Sequence, residues 1–166
     1  FIPIGPTAHS PAVIVARKDF PAKDLKEFVE LLKSGSATLK QGHGGIGASS
    51  HMACLLFNTE IGAKPAAVAY RGSNLAMNDM IGGHIDSAFA SAPSVISSVQ
   101  QGLVRALAVS SGKRAAISPD TPTIAEGGVR DFDVNPWWGI FGPAGLPPSS
   151  VSKINADLAE ILKAPD

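Results

Sequence analysis

The sequence is poor in residues that carry covalent or metal chemistry. Cys54 is its one cysteine in 166 residues. That excludes an internal disulfide and any cysteine-cluster metal site. A lone cysteine between Ala53 and Leu55 reads as a small core residue. No sign of charge dominates, since 14 Lys and Arg balance 14 Asp and Glu. This argues against a nucleic-acid or membrane-surface partner. No apolar run approaches the length of a membrane span. Gly-x-Ser-x-Gly, the hydrolase elbow, is absent. No lysine follows the glycines as a nucleoside-triphosphate loop requires. There is no low-complexity tract. There is no leader either, but the chain opens without Met at Phe1-Ile2-Pro3-Ile4. That is the look of a mature or truncated product, so the missing leader says little about compartment.

What remains is an ordinary globular composition, 45% hydrophobic and 17% charged, in a chain long enough for one buried core. Its organising stretch is Thr38 to Phe57. A short extended segment runs into Gly42-His43-Gly44-Gly45-Ile46-Gly47-Ala48-Ser49-Ser50 and then into a helix. Glycine lets the backbone turn tightly and approach a ligand. A helix start offers unpaired N–H groups and a positive dipole end, which together suit an anion.

The rest alternates between strand and helix signals. Pro11 to Arg17 is a β-branched apolar run that predicts a buried strand. A helix begins at Pro21–Asp24, with Leu25, Phe28, Leu31 and Leu32 on one face, and ends at Ser34-Gly35-Ser36. Thr38–Gln41 predicts a short polar strand. In the helix after the glycines, Met52, Leu55, Leu56 and Thr59 share a face, and Gly62 suits the position past the C-terminus. Ala66–Tyr70 predicts a strand, followed by a helix with Leu75, Met77, Met80 and Ile81 that stops at Gly82-Gly83. Ile85–Phe89 predicts a strand. Ala90-Ser-Ala-Pro-Ser94 opens a helix, with Pro93 in its first turn, and Gly102 closes it before the strand Leu103–Val109. Repeated β-α units predict a mainly parallel α/β sheet flanked by helices, with right-handed crossovers. Beyond it lie a short helix near Thr123–Glu126, short strands at Phe132–Val134 and Trp138–Phe141, and a rigid connector, Gly142–Pro148. A last helix is capped by Ser149 or Ser150, with Val151, Ile154, Leu158, Ile161 and Leu162 on its apolar side.

Three strand-to-helix turns are built from small, hydroxyl-bearing residues: Gly45–Ser50, Arg71–Asn74 and Ala90–Ser94. In a parallel sheet such turns share one edge, where ligands bind. The set offers backbone N–H groups, serine hydroxyls, Asn74, Tyr70 and Arg71. It suits a carboxylate and is poorly suited to proton transfer. Each piece has a plainer reading: caps for the serines, strand-end packing for Tyr70, a solvated charge for Arg71. His51 and His84 read as structural or exposed, and Trp137 and Trp138 as packing or hinge residues. His43, within the turn, is the better candidate for ligand contact. Gly42-x-Gly44-x-x-Gly47 also fits the dinucleotide fingerprint. The strand before it is too polar for a buried first strand, and the next strand ends at Tyr70-Arg71 rather than at an acid for a ribose. An NADP-binding oxidoreductase domain, with Arg71 on a 2′-phosphate, stays open as the alternative.

Gln41-Gly-His-Gly-Gly-Ile-Gly-Ala-Ser-Ser-His51-Met-Ala resembles the Tyr-Gly-Ser-x-Gly-x-Gly-(Ser/Thr)-x-x-His-Leu-Ala segment of the Bug (TctC-type) solute-binding receptors of tripartite tricarboxylate transporters. Further matches follow in order: Val68–Ser73, Met80–Asp86, Gly102–Val109, Lys113-Arg114, Pro119–Gly128, Trp138–Gly145 and Lys153–Asn155. The resemblance covers nearly the whole chain. It implies a periplasmic receptor of two α/β lobes that close on a small carboxylate, without catalysis, cofactor or metal, and pass it to the membrane transporter subunits. It implies a partial chain, lacking the first-lobe segment with its Pro-Gly-Gly ligand loop and a C-terminal piece. Residues 1–128 would form the second lobe, with the inter-lobe crossing at 1–9, and 129–166 the return crossing and a first-lobe remnant. The exposed inter-lobe face is expected to drive self-association. Carried over as ligand-binding are His43, Gly47, Ala48, Ser49, Tyr70, Arg71, Gly72 and Ser73, with Asp86 as a weaker member that also reads as structural. His43 stands where the family usually has Ser, and adds a donor that could become cationic in mild acid. Gln41 stands where it often has an aromatic, and Ala69 where it often has Pro.

Overall fold

The computed structural model describes residues 1–35 and 38–164, so the expected helix end at Ser36 lies outside the described residues. The chain divides into two compact units, 10–135 and 1–9 with 136–166. The larger holds a five-stranded sheet in the order β4-β3-β5-β2-β6. Its strands are β2 (Ala12–Arg17), β3 (Lys40–His43), β4 (Ala66–Ala69), β5 (Ser87–Ser91) and β6 (Val104–Val109). Strand β3 runs parallel to β4 and β5, and β2 runs antiparallel to both β5 and β6. All strands but β2 therefore point one way. The expected mainly parallel α/β sheet is present, with one reversed strand set between β5 and β6.

Side-chain alternation along β2 builds a core on each face of the sheet. Ala12, Ile14 and Ala16 pack with Leu25, Phe28 and Leu32 of α1 (Leu25–Gly35) and with α2 (Ser49–Ile61). Val13 and Val15 pack with Ala76, Met77 and Met80 of α3 (Ser73–Ile81) and Val95 of α4 (Ala92–Gln100). A strand buried on both faces reads as a continuous apolar run, which is why 12–17 is legible. Helix α1 opens on Asp24, whose carboxylate accepts the Glu27 N–H at 2.9 Å. The Glu27 carboxylate in turn accepts the Lys23 N–H at 2.7 Å.

Helix α2 buries a different face from the expected one. Ser50, Ala53, Cys54, Phe57 and Ile61 face inward, while Met52, Leu55 and Leu56 are exposed. The helix is apolar on two sides, so periodicity does not choose between them. Small residues at 53 and 54 allow close approach to the sheet. Phe57 joins an aromatic cluster with Phe89 at 5.6 Å, Phe132 at 6.3 Å and Phe28 at 6.4 Å between ring centroids. Burying such a ring stabilises by about 1.5–3 kcal/mol.

Other differences are local. Strand β3 starts later than expected and carries Gly42 and His43 within it. Thr123 to Gly128 is a turn rather than a helix. It closes through the Glu126 N–H to Thr123 Oγ1 (3.0 Å) and the Thr123 N–H to Glu126 Oε2 (2.7 Å). Phe132–Val134 is not a strand. Phe132 is instead buried in the larger unit.

The smaller unit pairs β1 (Ile2–His9), a strand not anticipated, antiparallel with β7 (Trp137–Gly142). Helix α5 (Pro148–Ile161) follows Pro147 rather than a serine cap. It lies on β1, with Asn155 Nδ2 donating to the Ile4 carbonyl at 2.6 Å. No residue of α5 is buried. Among the described residues no helix is long and apolar enough to cross a membrane.

Candidate functional site

The site forms where the parallel strands end. His43, the last residue of β3, pairs with Ala69 of β4 and Phe89 of β5. The chain therefore leaves all three strands at one edge of the sheet, toward the starts of α2, α3 and α4. The first two turns are bonded together: the Tyr70 N–H donates to the His43 carbonyl at 3.0 Å and the Gly72 N–H to the Gly44 carbonyl at 3.1 Å. Gly44 lies in the angle between the helices. A Cβ there would meet Ser50 Oγ at 3.2 Å, Ser73 Oγ at 3.3 Å and Ser73 N at 3.5 Å.

Backbone conformation explains the glycines. Gly47 has φ 81° and Gly72 φ 112°, values L side chains rarely adopt, and a Cβ on either would meet nothing within 4 Å. Both positions thus flank open space at a helix start. No side chain caps α2 or α3, and neither has an acidic residue in its first turn. Their first N–H groups and dipole ends stay available to an anion. Ser49 is exposed and Ala48 and Ser73 are half-buried. Arg71 is exposed, and its guanidinium makes no ion pair or hydrogen bond among the described residues. Gly47, Ala48, Ser49, Arg71, Gly72 and Ser73 are thus brought to one edge.

The third turn offers less. The Ala92 N–H donates to the Pro11 carbonyl, Pro93 has no N–H, and Ser91 and Ser94 bond each other.

Three carried-over residues sit differently from expectation. Asp86 is at the opposite end of the strands. Its carboxylate accepts the Lys40 N–H at 2.9 Å and pairs with Arg17 at 3.2 Å. Lys40 and His43 bound β3, so Asp86 is about 10 Å down the strand from the site; it holds strand starts together. Tyr70 lies over Gly42, whose added Cβ would meet its ring at 3.3 Å. Its hydroxyl donates to Asp79 Oδ2 at 2.7 Å. Burial, then that carboxylate, push the phenol up to about 12. Tyr70 is strand-end packing. His43 is only 2% exposed. Its ring lies 4.3 Å from that of His51, and its Nδ1 meets the Gly45 backbone. Desolvation, then the neighbouring His51, hold its pKa below the ordinary imidazole range. The expected cationic donor is a buried neutral ring.

Two further residues work at the turn: Ser50, which the sequence did not single out, and His51, whose expected structural role is present. Ser50 Oγ accepts the Gly44 N–H at 3.0 Å, and His51 Nδ1 accepts the Gly47 N–H at 3.1 Å. Their position in the first helical turn was the available signal. Beneath α2, Gln41 of β3 accepts on Oε1 from Asn58 Nδ2 at 2.7 Å and from Cys54 Sγ at 3.0 Å. Burial pushes the Cys54 thiol up to about 12, so it is no nucleophile at neutral pH. The dinucleotide fingerprint loses its first glycine. Gly42 is inside β3, packed where a Cβ would sit 2.6 Å from Ile85 Cδ1. Among the described residues no group of three or more His, Cys, Asp or Glu could hold a metal.

The sequence model of the tripartite tricarboxylate transporter family receptors (TctC) matches residues 1–166. The chain belongs to this family. It is 33% identical over 165 residues to a UPF0065 protein from the TAR-I ttuE-ttuC′ intergenic region of Agrobacterium vitis, covering 99% of this chain and 48% of that protein. The chain spans about half the length of the curated relatives it matches. Among solved structures it is similar to MatC (Rpa3494) of Rhodopseudomonas palustris with bound malate, at TM-score 0.92 and 32% identity over 99% of this chain and 56% of that one. It is also similar to R. palustris Rpa4515 with adipate, at TM-score 0.94 and 27% identity over 99% and 55%. As a Bug (TctC-type) family member it has the α/β architecture of periplasmic binding proteins, over about half of those neighbours' length.

Proposed function

We propose that this chain forms one lobe of a periplasmic receptor that captures a small carboxylate for a tripartite tricarboxylate transporter and performs no chemistry on it. The observation that carries this is the meeting of two uncapped, acid-free helix starts around Gly44, beside the unpaired Arg71. First-turn N–H groups of α2 and α3 grip the carboxylate, Ser49 and Ser73 add hydroxyl donors, and Arg71 supplies charge. Each charge-assisted hydrogen bond contributes on the order of 1.5–3 kcal/mol. The neighbours' malate and adipate support the ligand class. In this reading residues 10–135 are the second lobe, in place of the expected 1–128, and 1–9 with 136–166 lead to and from the first. The partners are the membrane subunits of the transporter. Trp137 and Phe141, 60% and 50% exposed, favour self-association of the half-length chain.

A thermal-shift screen over mono-, di- and tricarboxylates, aromatic acids, amino acids and NADPH tests the reading. A ligand at 100 times its dissociation constant adds about 2.7 kcal/mol of stability. Stabilisation by one carboxylate class, lost in Arg71→Ala, is the expected result. Stabilisation by NADPH alone would overturn it.

A further inference from the structure

The geometry points to His51 as a positioning residue that latches the glycine turn onto the start of α2 only while its imidazole is neutral, so that carboxylate binding there weakens as the pH falls. This rests on the receptor reading above.

His51 is the third residue of α2, and its ring reaches back along the chain to accept the Gly47 N–H at 3.1 Å. A side-chain acceptor on the third helical residue resembles a capping box, but it takes the N–H of Gly47, one residue before Ala48 at the N-cap, and so leaves the first N–H groups of the helix free. An imidazole that accepts at Nδ1 must be neutral and carry its proton on Nε2. Gly44 and Gly45 are fixed by Ser50, Gly72 and His43, so the lightly held part of the turn is Ile46 and Gly47. The Ala48 N–H donates to the Gly45 carbonyl at 3.1 Å, Ile46 is 85% exposed, and a Cβ on Gly47 would meet nothing within 4 Å. The His51 bond is the one hydrogen bond recorded for the Gly47 N–H among the described residues.

A proton on Nδ1 turns the acceptor into a donor. Two N–H groups then face each other, and the bond is lost. From β3, the titratable group facing His51 is His43, with ring centroids 4.3 Å apart. The turn after β4 carries Arg71 and Tyr70, and α3 brings Asp79, engaged with the Tyr70 hydroxyl. Neither imidazole makes an ion pair with a carboxylate among the described residues. A half-exposed imidazolium would attract a carboxylate only through solvent screening. Release of the turn removes the preorganisation of the donors that bind, which is the larger loss.

Malate and adipate serve as probes. Affinity is measured by calorimetry between pH 8 and 5.5 for the unaltered chain, His51→Gln and His51→Ala. Gln supplies an acceptor that does not titrate, and the probe's own protonation is common to all three. Binding to the unaltered chain should weaken roughly five-fold, the worth of one hydrogen bond. His51→Gln should follow only the probe's titration, and His51→Ala should be weak throughout. Equal pH slopes in the unaltered chain and His51→Gln, or tighter binding in acid, would overturn the latch. If neither acid binds any form, the receptor reading fails instead. The Gly47 amide resonance then still decides the latch: it must shift in step with the His51 ring, and a Gly47 amide indifferent to that ring sinks it.

Discussion

Gly72 donates its backbone N–H to the carbonyl of Gly44 at 3.1 Å, so the turn after β4 rests on the turn after β3. Together with the Tyr70 N–H bond to the His43 carbonyl, it sets the start of α3 beside the start of α2. It also places Gly72 at φ 112° and ψ 155°, a conformation other residues enter only with strain.

Gly72→Ala should therefore destabilise the fold by about 1–3 kcal/mol although a Cβ would touch nothing. Urea denaturation measures it. The same variant should lose carboxylate binding before it loses its fold, because the α3 donors shift first. A neutral effect on stability would mean that the turn relaxes without strain.

Arg71 separates binding from stability. It is exposed and bonded to nothing among the described residues, so Arg71→Ala should leave the unfolding midpoint within about 0.5 kcal/mol of the original. Affinity for the carboxylate that stabilises the chain should fall on the order of 10- to 150-fold, the worth of one charge-assisted hydrogen bond. Calorimetry reads the affinity and thermal melting the stability.

Asp86 should behave in the opposite way. Its contacts are Arg17 and the Lys40 backbone, at the far end of the strands. Asp86→Asn should cost on the order of 1–2 kcal/mol of stability and leave carboxylate affinity unchanged. A large loss of affinity in a folded variant would bring Asp86 back to the site.

Cys54 and Tyr70 make an alkaline prediction. Both groups have folded pKa values raised to about 12 by burial, and for Tyr70 also by Asp79. A raised folded pKa gives stability that is complete below the unfolded value and lost as pH rises toward the folded one. Stability should hold to about pH 8 and then decline through pH 11. For Cys54 the decline is about 2–3 kcal/mol by pH 11. Denaturation midpoints across pH 8 to 11 test this, and Cys54→Ala should remove part of the slope. Ellman's reagent should leave the native thiol untouched at pH 8 and react with it in urea.

Where one physical rule governs a stretch, the sequence is legible. Val13, Ile14 and Val15 are buried on both sides of the sheet and read as a run. Gly62, at φ 70°, reads as the stop of α2 because few other residues adopt that conformation. At the candidate site, the three turns were legible because parallel strands end at one edge. Legibility fails where two rules compete. Met52 and Leu56 outrank Ala53 and Cys54 in hydrophobicity, yet close packing against β3 selects the small residues. His43 sits among glycines that suggest a loop, but its backbone completes the β3 ladder and its ring goes inward. Asp86 lies in a stretch that matches the family, and only strand direction reveals which end it serves. The β1 strand has Pro3 and Pro6 in it, and its partner Trp137–Gly142 is more than a hundred residues away.

Ser110, buried between β6 and the loop that follows, accepts the Ala12 N–H on its hydroxyl at 2.9 Å and donates that hydroxyl to the Val134 carbonyl at 2.6 Å. The segments entering and leaving the larger unit are thus tied to one side chain. Their ends emerge within a few residues of each other in space, as they do in modules that tolerate transplantation. Residues 10–135 form a cassette: its two cut points are neighbours, and a short bridge could close it into a ring or splice it into a surface loop of another protein.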